Sequence, residues 1–360
     1  MQSLRFLAIA VACCIGCAVW IRFLRNIAAP LGLVDRPGGR KRHESPMPVV
    51  GGIAMFLGLI PLLLSGMSDA FYLGGAMLLV VVVGILDDEV QLSARTRLAM
   101  EVAAALVLVA GGTTLRYVGD LLGLGPIGTA FLAPAITVVC VTGTINAVNM
   151  SDGLDGLAGA QSFVAIGWLT AAALLSGNGL VFEIGLCALG VIAGFLAYNL
   201  RTRFRTRACV FMGDAGSMLL GLLVAWLAIE LAGKGPSVLT PIGAVWIVGV
   251  PLLDMGSVMA NRMRHGGSPF RADRRHFHYL LVDAGMAQGE VVRVLVSASV
   301  FMGAAGLLFP VLHIPEWLMF GAFLALWGAG YRWVERQYRQ PAPAALPTAL
   351  GASAEPAIGD

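Results

Sequence analysis

The sequence predicts an all-α fold, a polytopic integral membrane helix bundle of about 11 transmembrane helices. Three observations predict it. Only 12% of the 360 residues are charged, whereas soluble proteins carry about 25%. Hydrophobic residues make up 58% of the chain, with a mean hydropathy of +0.82. Uncharged apolar runs recur from end to end, far more than one signal peptide would give.

The runs place spans at roughly Phe6–Leu24, Val49–Ser65, Phe71–Leu86, Leu98–Ala110, Ala130–Ile145, Phe163–Leu175, Val181–Leu200, Met218–Leu231, Pro241–Ala260, Val294–Phe309 and Trp317–Tyr331. A spanning helix needs about 20 residues, so the shorter cores draw on their flanks. Residues 1–339 form one transmembrane unit, whose long loop is 261–291; loops of that length are usually functional. From Gln340 to Asp360 the chain is rich in Pro and Ala, the composition of a disordered tail.

Positive charge orients the bundle. Of 24 Lys and Arg, all but Arg5, Arg116 and Lys234 fall in or beside one set of loops: Arg36–Arg42, Arg95–Arg97, Arg201–Arg207, Arg262–Arg275 and the tail from Arg332. Cytoplasmic loops collect Lys and Arg, so the amino terminus is expected outside and the carboxyl terminus inside. This spread is a topological one and excludes a nucleic-acid-binding face. The six cysteines lie in or near apolar segments, and Cys14-x-x-Cys17 has no second pair or His to complete a metal site.

With that topology, the polar residues gather on one side. Asp87-Asp88 end the third span. Asn146-Ala-Val-Asn149-Met-Ser-Asp152-Gly-Leu-Asp155-Gly156 ends the fifth, and Asp214 opens the eighth in Phe211-Met-Gly-Asp214-Ala-Gly-Ser217. The long loop brings Arg274-Arg275-His276-Phe-His278 to the same face. Adjacent carboxylates at a lipid boundary repel unless a cation or ligand neutralises them. Carboxylates and an amide suit Mg²⁺ or Mn²⁺, which bridges phosphate oxygens. His and Arg suit a diphosphate. No Walker loop, HExxH or nucleophile elbow is present. The expected chemistry is metal-assisted transfer involving phosphates beside a membrane. A secondary transporter is the rival class, because intramembrane carboxylates also mark ion paths. Asp254, inside the ninth span, is the residue that fits it best.

Taken in order, these motifs resemble those of the polyprenyl-phosphate N-acetylhexosamine-1-phosphate transferases, most nearly the branch that uses undecaprenyl phosphate and GlcNAc. Leu33-Val-Asp35-Arg-Pro37, Arg40-Lys-Arg-His43, Gly51-Gly52 and Ser268-Pro-Phe270-x-x-Asp273-Arg274 extend the likeness. The resemblance implies transfer of sugar 1-phosphate from a UDP-N-acetylhexosamine to undecaprenyl phosphate, releasing UMP and starting a lipid-linked, O-antigen-like glycan. GlcNAc is the first choice of sugar, with GalNAc, FucNAc and QuiNAc as alternatives. It further implies a bacterial inner-membrane protein with a cytoplasmic cleft, a homodimer being compatible.

By motif match, Asp214 and Asn149 are the metal ligands, for Mg²⁺ or Mn²⁺. Asp87 and Asp88 stand beside the lipid phosphate and metal, and Asp152 and His276 join them in the catalytic set. Asp155 and Phe211 contact the uracil, Arg274 and His278 the diphosphate, and Asn146 the substrate. Two departures stand out. Where the family loop reads His-x-His-His, Tyr279 takes the last position. The residues after Asp88 lack the Lys of the peptidoglycan-precursor branch. Direct attack by the lipid phosphate is expected, because a phosphate monoester has a second pKa of about 6 and a base at Asp87 is not demanded. The alternative is an aspartyl sugar-phosphate intermediate.

Overall fold

The computed structural model describes residues 2–35, 46–63, 68–202, 205–235, 237–270 and 273–339. The 36–45 segment with its basic cluster, two positions of the long loop (271 and 272) and the 340–360 tail lie outside the described residues.

Helices dominate: α1 (Gln2–Ile27), α2 (Gly51–Leu63), α3 (Ser68–Val90), α4 (Ala94–Ala110), α5 (Ala133–Met150), α6 (Leu157–Leu175), α7 (Gly179–Asn199), α8 (Gly213–Ala232), α9 (Pro241–Ile247), α10 (Gly249–Arg264), α11 (Phe277–Asp283), α12 (Gln288–Val311) and α13 (Glu316–Arg339). Each of the eleven expected spans falls on a helix or, for the ninth, on the pair α9 and α10. Among the described residues, seven helices are long and apolar enough to cross a membrane, and an eighth crossing follows if α9 and α10, bent by 82°, count as one. The others are shorter or more charged. The break has a local cause: Pro251 has no N–H to donate to the carbonyl four residues back, and Gly249 follows the bend at Val248.

α8 is apolar on every face and lies at the centre, which is where an all-round apolar helix belongs. It packs against α2, α3, α5 and α6, while α1 covers α7 from outside. Close approach depends on small residues, as is usual between membrane helices. A Cβ at Gly84 would stand 2.7 Å from the carbonyl carbon of Asp214, and one at Gly52 would stand 2.7 Å from that of Ala215. The apolar faces of α1 (Leu7, Val11, Ile15, Val19) and α3 (Phe71, Leu78, Val82, Leu86) point outward, as lipid-facing surfaces do.

The loops divide between two ends. At one end, β1 (Val34–Asp35) pairs antiparallel with β2 (Met47–Pro48), and Val49 bridges to Phe211. The Phe211 N–H donates to the Pro48 carbonyl at 2.8 Å, while Gly51 and Gly52 donate to the carbonyls of Phe211 and Met212 at 3.0 Å. The unpaired N–H groups that begin α2 are thus satisfied by the strand that leads into α8. At the other end, Thr113 donates to Glu230 at 2.8 Å and Tyr117 to Glu316 at 3.2 Å. Arg116 and Lys234 belong to this second end, and the motif residues to the first.

Candidate active site

The first end gathers the ends of α3 and α5, the start of α8 and the loop that carries α11. Asp88 accepts from the backbone N–H of Asp214 at 3.1 Å on both carboxylate oxygens. It therefore faces the first turn of α8, where unpaired N–H groups and the helix dipole favour an anion. Gly213 adopts φ +71° there, and a Cβ would run into Asp88 and Val49. Asp214 accepts from the Asn149 side-chain amide at 2.6 Å, and the same nitrogen donates to Ser217 Oγ at 2.9 Å.

Asp87 is differently placed. It is buried, with Oδ1 accepting from the Leu92 N–H at 2.7 Å and Oδ2 from Arg97 Nη1 at 2.9 Å. Its carboxylate also approaches that of Asp214 closely. Arg97 continues towards Glu101, with Nε 3.9 Å from Oε1. Glu101, only 1% exposed, takes a short hydrogen bond from the Asn146 amide, which also donates to the Thr142 carbonyl at 2.9 Å. Asn146 thus braces a buried Glu–Arg–Asp chain. Arg97 and Glu101 are absent from the motif-based set, yet the sequence carries a signal for them: opposite charges at i, i+4 inside an apolar helix.

The turn after α5 is held by Asn199, which accepts from the Gly156 N–H at 2.7 Å and donates to the Val210 carbonyl at 2.8 Å. Asp155 accepts from Arg201 Nε at 2.7 Å and from the Ala208 N–H at 3.3 Å. Asp152 receives no side-chain hydrogen bond from the described residues. Its side chain is open to the cavities that it lines. Desolvation by their walls, with the charges of Asp214, Asp88 and Asp155 added, pushes its carboxyl up to about 7.

In the long loop, His276 Nδ1 lies 2.9 Å from Asp254 Oδ2 and Nε2 lies 3.2 Å from Arg262 Nη2. Arg262 also pairs with Asp273 at 3.0 and 3.1 Å. Burial raises the Asp273 carboxyl, but the hydrogen bonds from Arg262 and from the Arg275 N–H outweigh it and hold it below its ordinary range. His278 stacks on His276, with centroids 5.6 Å apart and planes at 12°. It is 1% exposed, and its Nε2 has no hydrogen-bond partner among the described residues. Burial holds its imidazole down at about 4, so it is neutral. The guanidinium of Arg274 lies over the Tyr279 ring at 4.5 Å, a cation–π contact that gives Tyr279 a role different from that of a third histidine.

Two cavities result. One, of about 570 Å³, is lined by Asp88, Asn149, Asp152, Asp155, Phe211, Asp214, Arg274 and Tyr279. The other, of about 420 Å³, is lined by Arg97, Asn146, His276 and His278 together with the apolar Leu98, Val139, Met255 and Met259. Asn149, Asp152, Gly153 and Tyr279 line both. Among the described residues, no three His, Cys, Asp or Glu groups form a ready metal cage. The donor set still fits a hard divalent cation. Mg²⁺ commonly takes only one or two carboxylates and completes its shell with substrate phosphates, and among the described residues the crowded carboxylates of Asp87, Asp88 and Asp214 have Arg97 as their counter-charge.

Residues 70–232 match the model of glycosyl transferase family 4. Over 322 residues the chain is 34% identical to an undecaprenyl-phosphate alpha-N-acetylglucosaminyl 1-phosphate transferase of Escherichia coli (strain K12), covering 85% of this chain and 84% of that protein. Proteins of the same name from Yersinia pestis and from Pasteurella multocida (strain Pm70) are each 35% identical, over 314 and 326 residues. They cover 83% and 87% of this chain, and 83% and 88% of their own lengths. The chain belongs to glycosyl transferase family 4. The family match runs from α3 to α8 and so takes in every expected site residue from Asp87 to Asp214. The His276 loop lies beyond it. As a family 4 member the protein is an enzyme. Asp254, the residue best suited to an ion path, is instead tied to the loop histidine.

Proposed function

We propose that the protein transfers GlcNAc 1-phosphate from UDP-GlcNAc to undecaprenyl phosphate, releasing UMP, at the cytoplasmic face of a bacterial inner membrane. The amino terminus is outside and the carboxyl terminus inside. The observation that carries this is the meeting of two cavities at Asn149, Asp152, Gly153 and Tyr279. Transfer between a water-soluble donor and a lipid acceptor needs one polar chamber, one chamber with an apolar wall, and a shared seam.

The larger cavity takes the nucleotide sugar, with Phe211 and Asp155 at the uracil and Arg274 towards the diphosphate, which His278 approaches from the smaller cavity across the seam. The smaller takes the lipid phosphate beside Arg97. Its wall residue Val139 is 69% exposed, which leaves an open side for an isoprenoid chain. Asp214 and Asn149, with Asp88 beside them, would hold Mg²⁺ or Mn²⁺. Such an ion, when bound, neutralises charge on the diphosphate and the departing UMP. The chain's own residues position the two phosphates for in-line attack, and phosphoryl transfer is mainly a matter of positioning and charge. The acceptor oxygen attacks directly. Asp87, with both oxygens engaged, serves to seat Arg97.

The test is purified protein with undecaprenyl phosphate, Mg²⁺ and a panel of UDP-sugars, assayed for UMP. UDP-GlcNAc should give UMP, and EDTA should abolish it until Mg²⁺ or Mn²⁺ is restored. No UMP from any sugar, with Asp214→Ala indistinguishable from wild type, overturns the proposal. Exchange of labelled UMP into UDP-GlcNAc without lipid acceptor would instead favour the covalent intermediate.

A further inference from the structure

We infer that Asp254 is a positioning residue for the transfer, acting through the tautomer of His276; the inference rests on the transferase reading above. Asp254 lies in α10, one turn beyond the broken junction with α9, and is only 4% exposed. A carboxylate at such a depth is costly unless it is paired. Both of its oxygens are used: Oδ2 faces His276 Nδ1, and Oδ1 accepts from the Phe277 N–H at 2.9 Å. The second contact ties the start of α11 to the wall of the bundle.

The ring nitrogens of His276 are then assigned by elimination. Arg262 Nη2 can only donate, so Nε2 must be the acceptor and Nδ1 carries the proton to Asp254. Arg262, oriented from that side, holds Asp273 and accepts no other geometry without losing the Pro269 carbonyl, to which Nη1 donates at 2.8 Å. The His276 ring in turn supports the stacked His278, whose unpartnered Nε2 lies against Gly153 at the seam of the two cavities. One buried carboxylate thereby fixes the loop, the tautomer and the buried imidazole behind the seam. Hydrogen-bonded partners of this kind that orient a functional imidazole are commonly worth about 10- to 100-fold in function.

Asp254→Asn is the informative change. The amide oxygen can still accept from Phe277, but its NH₂ faces His276 Nδ1. The ring must then carry its proton on Nε2, against Arg262. Histidine ¹⁵N spectra read this directly, and the chain contains only five His. Wild type should show His276 protonated on Nδ1, and Asp254→Asn should shift that proton to Nε2. The variant should also lose about 10- to 100-fold in kcat with a smaller change in the KM for UDP-GlcNAc. In a His276→Gln background the same substitution should add less than about threefold, because coupled residues are not additive.

An unchanged tautomer in Asp254→Asn, or costs that multiply in the double variant, overturns the inference. Loss of folding by Asp254→Asn, seen as early thermal unfolding, would assign Asp254 a purely structural role and equally overturn it. Wild-type protein that releases no UMP is a separate outcome and counts against the transferase reading instead.

Discussion

Gly153→Ala tests the site with a single methyl group. Gly153 does not have a positive φ, so alanine costs nothing in backbone strain and the effect comes from the added carbon alone. That carbon would stand 2.8 Å from Cδ2 and 2.9 Å from Cε1 of His278, and nearer still to Nε2. Non-bonded carbons settle at about 3.5–4.0 Å, so the imidazole must retreat by on the order of 1 Å. It has little room to do so, being stacked on His276 and touching the Tyr279 ring at 4.1 Å. Overpacking of this kind costs about 1–3 kcal/mol in stability, which a well-folded membrane bundle survives. A displacement of about 1 Å at reacting groups can cost on the order of 100-fold in rate. The expected result is therefore a folded protein with kcat for UMP release down about 100-fold. Activity within about threefold of wild type, with melting unchanged, would refute both the placement of His278 at the seam and the argument built on it.

Four further outcomes follow from the geometry. Gly84→Ala should lower thermal stability by roughly 1–3 kcal/mol, because its Cβ meets the α8 backbone rather than a side chain that can swing away; an unchanged melting curve in detergent refutes the packing. Arg97→Met should destabilise by about 3–5 kcal/mol, since buried Asp87 and Glu101 both lose their cation, and a neutral effect on unfolding would show the chain is not structural. Folded His278 takes its proton at about 4 and unfolded His at about 6.5, so the unfolded chain binds more protons between those values. The contribution of His278 to stability should then fall as pH drops from about 6.5 towards 4, by up to roughly 3 kcal/mol, read as the difference between the wild-type and His278→Asn pH–melting profiles, and two profiles that stay parallel would refute it. Asp87→Asn and Asp152→Asn should separate: the first should act chiefly on stability, through Arg97, and the second chiefly on kcat. Equal losses of stability in the two would contradict their different surroundings.

Hydropathy made the helices legible because burial in lipid and in the bundle selects the same residues. Every expected span has a helical counterpart. The break in the ninth stretch was not expected, although Gly249 and Pro251 mark it, because Pro241 to Ala260 is apolar throughout. Hydropathy averages over the backbone interruption that a missing N–H creates. The clustering of Asp87, Asp88, Asn149, Asp152 and Asp214 followed from span parity alone. Their partners did not. Arg97 meets Asp87 ten residues away across a turn, and Asp254 meets His276 across 22 residues and a loop. Such pairings depend on helix rotation and loop path, which spacing does not encode. Charge inside apolar helices was the available signal, and Glu101 carried it as plainly as Asp254.

The surroundings of the carboxylates also decide which of them is open to chemistry. Asp87 is occupied by Leu92 and Arg97, Asp88 by the first turn of α8, Asp155 by Arg201 and Ala208, and Asp214 by Asn149. Each has a donor that favours its ionised form and that proton uptake would break. Asp152 has none among the described residues, and it lines both cavities. Its surroundings put its protonation near neutral pH, where a side chain can exchange a proton at least cost. If the lipid phosphate arrives as its monoanion, Asp152 is the group placed to remove the last proton. If it arrives as the dianion, no base is required, and Asp152 can instead meet the incoming charge by becoming neutral. On the proposed reading, both cases have the acceptor phosphate beside Arg97 turn its attacking oxygen towards Asp152 at the seam. On that reading, the paired aspartates therefore frame the reaction, while Asp152 in the turn after α5 faces it.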